Sequence, residues 1–166
     1  MKEHYETNSF DHSQYAEIRQ KNIDCGKNNP CKEPYYKMSA RHILDLEGFQ
    51  SIIDGTSVSE FRGVPFDFLA NKIEENFLSE LKGSLKGWSM PGDTQLARMH
   101  DLLNRLAENA LEVEFWLLQI SLEKGQYRVW NKIGLSHLFE VTDAGKGKKS
   151  PMGPMVDWIK RTLAKI

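Results

Sequence analysis

Five sets of residues carry the types from which chemistry is built. The first is Asp143-Ala144-Gly145-Lys146-Gly147-Lys148-Lys149-Ser150. A loop that wraps phosphates in backbone amides and reaches them with a lysine needs the spacing G-x-x-x-x-G-K-[ST]. Here the glycines stand two apart, and Pro151 and Pro154 interrupt the helix that should follow at once. The segment therefore reads as a flexible basic loop. The second set is Cys25 and Cys31, with His4 and His12 upstream. Tetrahedral zinc takes convergent N and S ligands, usually in pairs about two to four residues apart, and this spacing is looser. The two cysteines read as free thiols, with a local disulfide as the alternative in an oxidising setting.

The third set is the row His100, Asn104, Glu108 and Glu112, spaced by four so as to share one helix face. Metal sites inside helical bundles use Glu-x-x-His pairs aimed at the core. The chain has none, so the row reads as a solvated face. The fourth is Ser136-His137. Adjacency does not bring an imidazole to a hydroxyl, no G-x-S-x-G is present, and Cys25 has no evident base. Triads assemble in space rather than in sequence, so this leaves an enzyme possible but names no nucleophile. The fifth is the basic C-terminal set Lys146, Lys148, Lys149, Lys160, Arg161 and Lys165, a composition that nucleic-acid phosphates reward. On these grounds no catalytic residue, metal ligand or cofactor is assigned.

Charge is unevenly spread. From Gly125 to Ile166 there are eight Lys/Arg against three Asp/Glu, a net +5, which leaves −6 for the rest of a chain whose net charge is −1. A basic end on an acidic body suits an anionic partner or pairs with its own body. The 166 residues suit one domain. No apolar run approaches the ~20 residues that span a bilayer. The opening residues Met1, Lys2, Glu3 and His4 begin no apolar leader, so the expectation is a cytoplasmic protein without a membrane role.

The elements that must position these residues read as helices. Residues 1–37 are poor in branched aliphatics and read as a polar arm with one short helix near 11–21. Ser39 reads as an N-cap, with Ile43, Leu46, Phe49 and Ile53 at helical spacing up to Gly55. Phe66, Leu69, Ile73, Phe77, Leu81 and Leu85 predict a helix from Pro65 to Gly87, with Lys72, Glu74, Glu75, Glu80 and Lys82 on its polar side. Leu96, Met99, Leu103, Leu106, Ala110, Val113, Leu117 and Ile120 form an unbroken a/d seam and predict one long helix over 93–124. A strand over 112–122 with a hairpin at Lys124-Gly125 is the rival reading. Residues 126–141 allow a hairpin or a broken helix, and Met155, Trp158, Ile159, Thr162 and Ile166 predict a C-terminal amphipathic helix.

The resulting expectation is an all-α or mostly α fold, an irregular bundle of about four main helices, with a small β element after Gly125 as an option. Residues 1–37 form the arm and 38–166 the helical domain with its basic C-terminal helix. Over 113–122 apolar residues cover most of the helix circumference, so Phe115, Trp116, Leu118 and Leu122 are the expected partner surface. The leading functional expectation is a non-enzymatic interaction module: an accessory subunit, inhibitor or adaptor that binds a protein, most simply itself as a two-fold dimer. A nucleic-acid-associated protein using the basic C-terminal segment is the second expectation. An enzyme whose residues converge only in three dimensions is the third.

Overall fold

The computed structural model describes residues 4–9, 12–54, 66–141 and 153–165. In chain order the elements are β1 (Tyr5–Ser9), α1 (His12–Cys25), α2 (Asn29–Leu46), β2 (Ser51–Asp54), β3 (Phe68–Lys72), β4 (Glu75–Ser84), α3 (Asp93–Glu108), β5 (Val113–Ser121), β6 (Gln126–Trp130), α4 (Lys132–Val141) and α5 (Gly153–Leu163). The strands form one six-stranded sheet in the order β1-β6-β5-β4-β3-β2. Only β4 and β5 run parallel, joined by the α3 crossover, and every other pair is antiparallel. The architecture is α/β, which corrects the expected all-α bundle.

Strand alternation gives the sheet two apolar faces and hence two cores. Ile18 of α1 and Ala40, Ile43 and Leu44 of α2 pack with Phe77, Leu118 and Ile120 on one face. On the other, Leu96, Met99, Leu102 and Leu106 of α3, Leu135 of α4, and Met155, Val156 and Ile159 of α5 pack with Leu78, Phe115 and Leu117.

Two helix expectations fail here for identifiable reasons. Residues 65–87 contain the β3–β4 hairpin. Steps of three and four there also fit two short strands, and Ile73, assigned to a buried helix face, sits at the turn with φ 55° and 74% exposure. The long helix stops at Glu108, because Ala110 turns to φ 57° and Leu111 N–H closes on the Leu106 carbonyl at 2.9 Å. That is the left-handed closure that ends many helices. The apolar seam then continues as the central strand β5. A strand with helices on both faces reads as a near-continuous apolar run, and this run imitated a helix buried all round. The rival hairpin reading is the one adopted, with Gly125 at φ 62° before β6.

The first half of the chain is also rearranged. The cap of α2 is Asn28, whose side chain accepts from Cys31 N–H at 3.2 Å, and Pro30 occupies the first turn. Ser39 lies inside the helix and donates to the Tyr35 carbonyl. Residues 51–54, expected as the end of a helix, are strand β2. Cys25 ends α1 and Cys31 opens α2, with Cα atoms 5.7 Å apart, and the two form a disulfide rather than free thiols. Residues 1–37 contribute β1, which pairs with β6 from Tyr5↔Trp130 to Ser9↔Gln126, and α1, which buries Ile18 and Asn22. The Arg128 guanidinium lies between the rings of Tyr5 (4.2 Å) and Trp88 (3.9 Å), which fastens β1 to the sheet. No helix among the described residues is long and apolar enough to cross a membrane.

Candidate functional site

The chemistry gathers where β3 begins beside the middle of β4. Asp67 N–H donates to the Ser79 carbonyl at 2.7 Å, so its side chain comes level with Glu80 across the hairpin. One carboxylate oxygen of Asp67 accepts Leu81 N–H at 2.8 Å, which fixes its orientation. Along β4 the period of two puts Glu80 and Lys82 on the same face as Leu78, turned toward α3. Gln95, in the first turn of α3, donates Nε2–H to Glu80 Oε1 at 2.5 Å. Lys82 Nζ lies 3.9 Å from the same oxygen and keeps 29% of its side chain exposed, against 7% for Glu80.

Further charges come from α2 and β2, on the other face of the sheet. Lys37 Nζ stands 3.4 Å from Asp54 Oδ2 and 3.9 Å from Glu33 Oε1. Both Lys37 and Glu33 act on Asp67 through their charges. α2 can lie this close to β4 because position 83 is glycine: a Cβ there would strike the Tyr36 ring.

Electrostatics sets the site apart from the ion pairs elsewhere. Burial, and then the charge of Asp67, hold the Glu80 carboxyl well above the ordinary carboxylate range. The hydrogen bond it shares with Asp67 adds to the rise, while Lys82 and Gln95 oppose it. Asp67 is raised by burial too, against the opposing Leu81 amide, Lys37 and Lys82. Two carboxyl groups in contact cannot both ionise cheaply; at ~4 Å their repulsion is about 4 kcal/mol for an effective dielectric near 20. The pair therefore favours retaining one proton. Next to it, the N-terminus of α3 has Gly92 as N-cap with no side-chain cap, and helix N-termini favour anions. Two carboxyls, a partly exposed ammonium and a helix N-terminus can bind a divalent cation together with a phosphate. Among the described residues no group of three or more His, Cys, Asp and Glu side chains is placed to hold a metal.

A second feature lies at the other end of the parallel strand pair. An open-sided groove of about 1570 Å³ runs between the C-terminal half of α3, the start of β5, α4, α5 and the β3–β4 turn. Its acidic lining residues are all exposed, unlike Glu80, so size does not mark the chemistry here.

The sequence-assigned residues scatter. Phe115, Leu118 and Leu122 are 4%, 0% and 1% exposed. Trp116 is half-buried in edge-to-face contact with Phe49 and Phe77. Phe115 packs in the core on the α3 face, Leu118, Leu122 and Trp116 pack on the α2 face, and Phe115 and Trp116 also line the groove. Lys160, Arg161 and Lys165 are exposed on and just beyond α5, and Lys160 lines the groove. Lys146, Lys148 and Lys149, and with them the candidate phosphate loop, lie outside the described residues. Of the row of four, His100, Asn104 and Glu112 line the groove, and the His100 ring lies 4.9 Å from Phe139. Ser136 and His137 are exposed on α4, with His137 against His4 at 4.8 Å.

Sequence reading assigned Glu80 and Lys82 to the polar side of a helix and overlooked Asp67. The available signal was the period of two: in a strand, Glu80-x-Lys82 puts an acid and a base on one face. No family model, no curated protein and no solved structure matches the chain, so the site's function is read from its side chains.

Proposed function

We propose that the chain is a divalent-cation-dependent phosphodiesterase acting on nucleic acid. The observation that carries this reading is the hydrogen-bonded Asp67–Glu80 pair with Lys82 two residues on, beside the N-terminus of α3. Magnesium is typically held by one or two carboxylates, with waters and substrate phosphates completing its shell. Two carboxylates therefore suffice, and the absence of a third among the described residues is no obstacle. A bound divalent cation supplies charge stabilisation at the phosphoryl oxygens and a water of lowered pKa.

The chain's own groups have separate tasks. Asp67, oriented by the Leu81 amide, and Glu80, oriented by Gln95, offer the two carboxylate oxygens. Lys82, the more exposed of the cluster on β4, neutralises phosphate charge and aligns the attacking water. Polynucleotide is favoured over a small ester by the exposed Arg161 and Lys165 in the helical layer on the site's own face of the sheet.

The test uses labelled single- and double-stranded DNA and RNA, with Mg²⁺, with Mn²⁺ or with chelator. The expected result is cation-dependent cleavage by the wild type, lost in Asp67→Asn, Glu80→Gln and Lys82→Met variants that melt cooperatively. No cleavage of any substrate with either cation, or equal cleavage by the folded variants, would overturn the proposal.

A further inference from the structure

The groove at the start of β5 is not explained by phosphodiester chemistry. Its rim carries five exposed carboxylates, Glu74, Glu75, Glu112, Glu114 and Glu140, against two ammonium groups, Lys132 and Lys160. A nucleic-acid backbone would be repelled there. Its floor is apolar: Leu103, Leu111, Phe139 and Leu163 are partly buried against the α3–α5 core and turn their remaining surface into the groove. At about 1570 Å³ the space exceeds the roughly 300–1,000 Å³ of small-molecule pockets. A peptide segment fits that size better than a metabolite does.

We infer that this groove is a docking site for a basic amphipathic segment of a partner protein. Apolar side chains of the segment would fill the floor, and its Lys or Arg residues would meet the glutamates of the rim. Helix-in-groove recognition works in this way, with anchors one turn apart buried in a hydrophobic trough. Charge complementarity at the rim then fixes the sign of the partner and speeds encounter. The inference does not rest on the phosphodiesterase reading: none of the five glutamates belongs to the Asp67–Glu80 cluster.

The probe is a fluorescent model helix with leucines at helical spacing and lysines on the other face, beside a copy with every lysine replaced by glutamate. Anisotropy is measured against wild type and against the double variant Glu112→Lys, Glu114→Lys, whose sites are exposed or at the strand start, with sizing chromatography on both proteins. The inference expects binding of the lysine peptide, none of the glutamate peptide, and a loss of more than about tenfold on charge reversal. A second variant, Phe139→Ser, should weaken binding without changing its salt dependence. Equal affinity for both peptides, or no effect of charge reversal, would overturn the inference. So would a wild-type dimer that the double variant converts to monomer, which would make a second copy the occupant. Cleavage by the double variant is expected to match wild type, so failure here leaves the phosphodiesterase proposal untouched, and the reverse holds.

Discussion

Replacing Glu80 with Gln should stabilise the cation-free protein near neutral pH while abolishing its response to Mg²⁺. Glu80 is 5% exposed, shares a hydrogen bond with Asp67 and accepts from Gln95 at 2.5 Å. Glutamine fills the same volume and still offers Oε1 to Gln95, so little packing is lost. What disappears is a buried charge facing another. Burial already penalises the Glu80 charge, and full ionisation of the pair at ~4 Å would add about 4 kcal/mol of repulsion at an effective dielectric near 20. Lys82 recovers part of that cost, so the expected stabilisation is about 1–3 kcal/mol, roughly 2–10 °C in Tm for a domain of this size. The pH dependence has a definite sign. The folded Glu80 carboxyl titrates well above its ordinary value of 4.5. Its stabilising contribution is therefore complete below that value and is lost as pH rises through the raised folded pKa. Wild type and variant should melt alike in acid, and the variant's advantage should grow with pH to a plateau. Saturating Mg²⁺ should narrow the gap by stabilising only the wild type, by about 2.7 kcal/mol at a hundredfold excess over Kd. Calorimetric melts across a pH series, with and without Mg²⁺, make the measurement. A variant less stable than wild type at neutral pH, or a difference that ignores pH, would refute the coupled-pair reasoning.

Three further outcomes are expected. Gly83→Ala should cost about 1–3 kcal/mol in chemical denaturation, because the new methyl meets the Tyr36 ring between β4 and α2. Ala110→Gly should stabilise by about 1 kcal/mol, since alanine holds φ 57° where glycine is unstrained; a loss of stability would contradict the closure assigned to α3. Tyr127→Phe should cost about 1–2 kcal/mol through the lost hydrogen bond to Glu47 Oε1 at 3.0 Å. Burial and Glu47 push the Tyr127 hydroxyl up to about 12, so the stability it contributes is full below pH 10 and fades as pH rises through about 12. A Phe variant should lack that alkaline loss in far-ultraviolet melts.

The sequence was legible where an element has one apolar face. Leu96, Met99 and Leu106 on α3, and Met155 and Ile159 on α5, are buried as their helical spacing demands. It misled where a strand is apolar on both faces. In β5 Phe115 and Leu117 face one core and Leu118 and Ile120 the other, and only the neighbouring strands determine which period applies. The site was hidden by the same error. Glu80 and Lys82 read as part of the solvated side of a helix but share one face of β4. Asp67 joins them only through the β3–β4 register, a pairing no local pattern announces. The disulfide depended likewise on where α1 ends and α2 begins, which the Asn28 cap decides.

The central claim is tested most directly by the single-turnover rate at which the protein cleaves a labelled polynucleotide in Mg²⁺, compared between wild type and Glu80→Gln at equal substrate occupancy. The account predicts a chelator-sensitive wild-type rate and a fall of about a hundredfold or more in a variant at least as stable as its parent. Equal rates for the two proteins, or a wild-type rate indifferent to chelator, would contradict it.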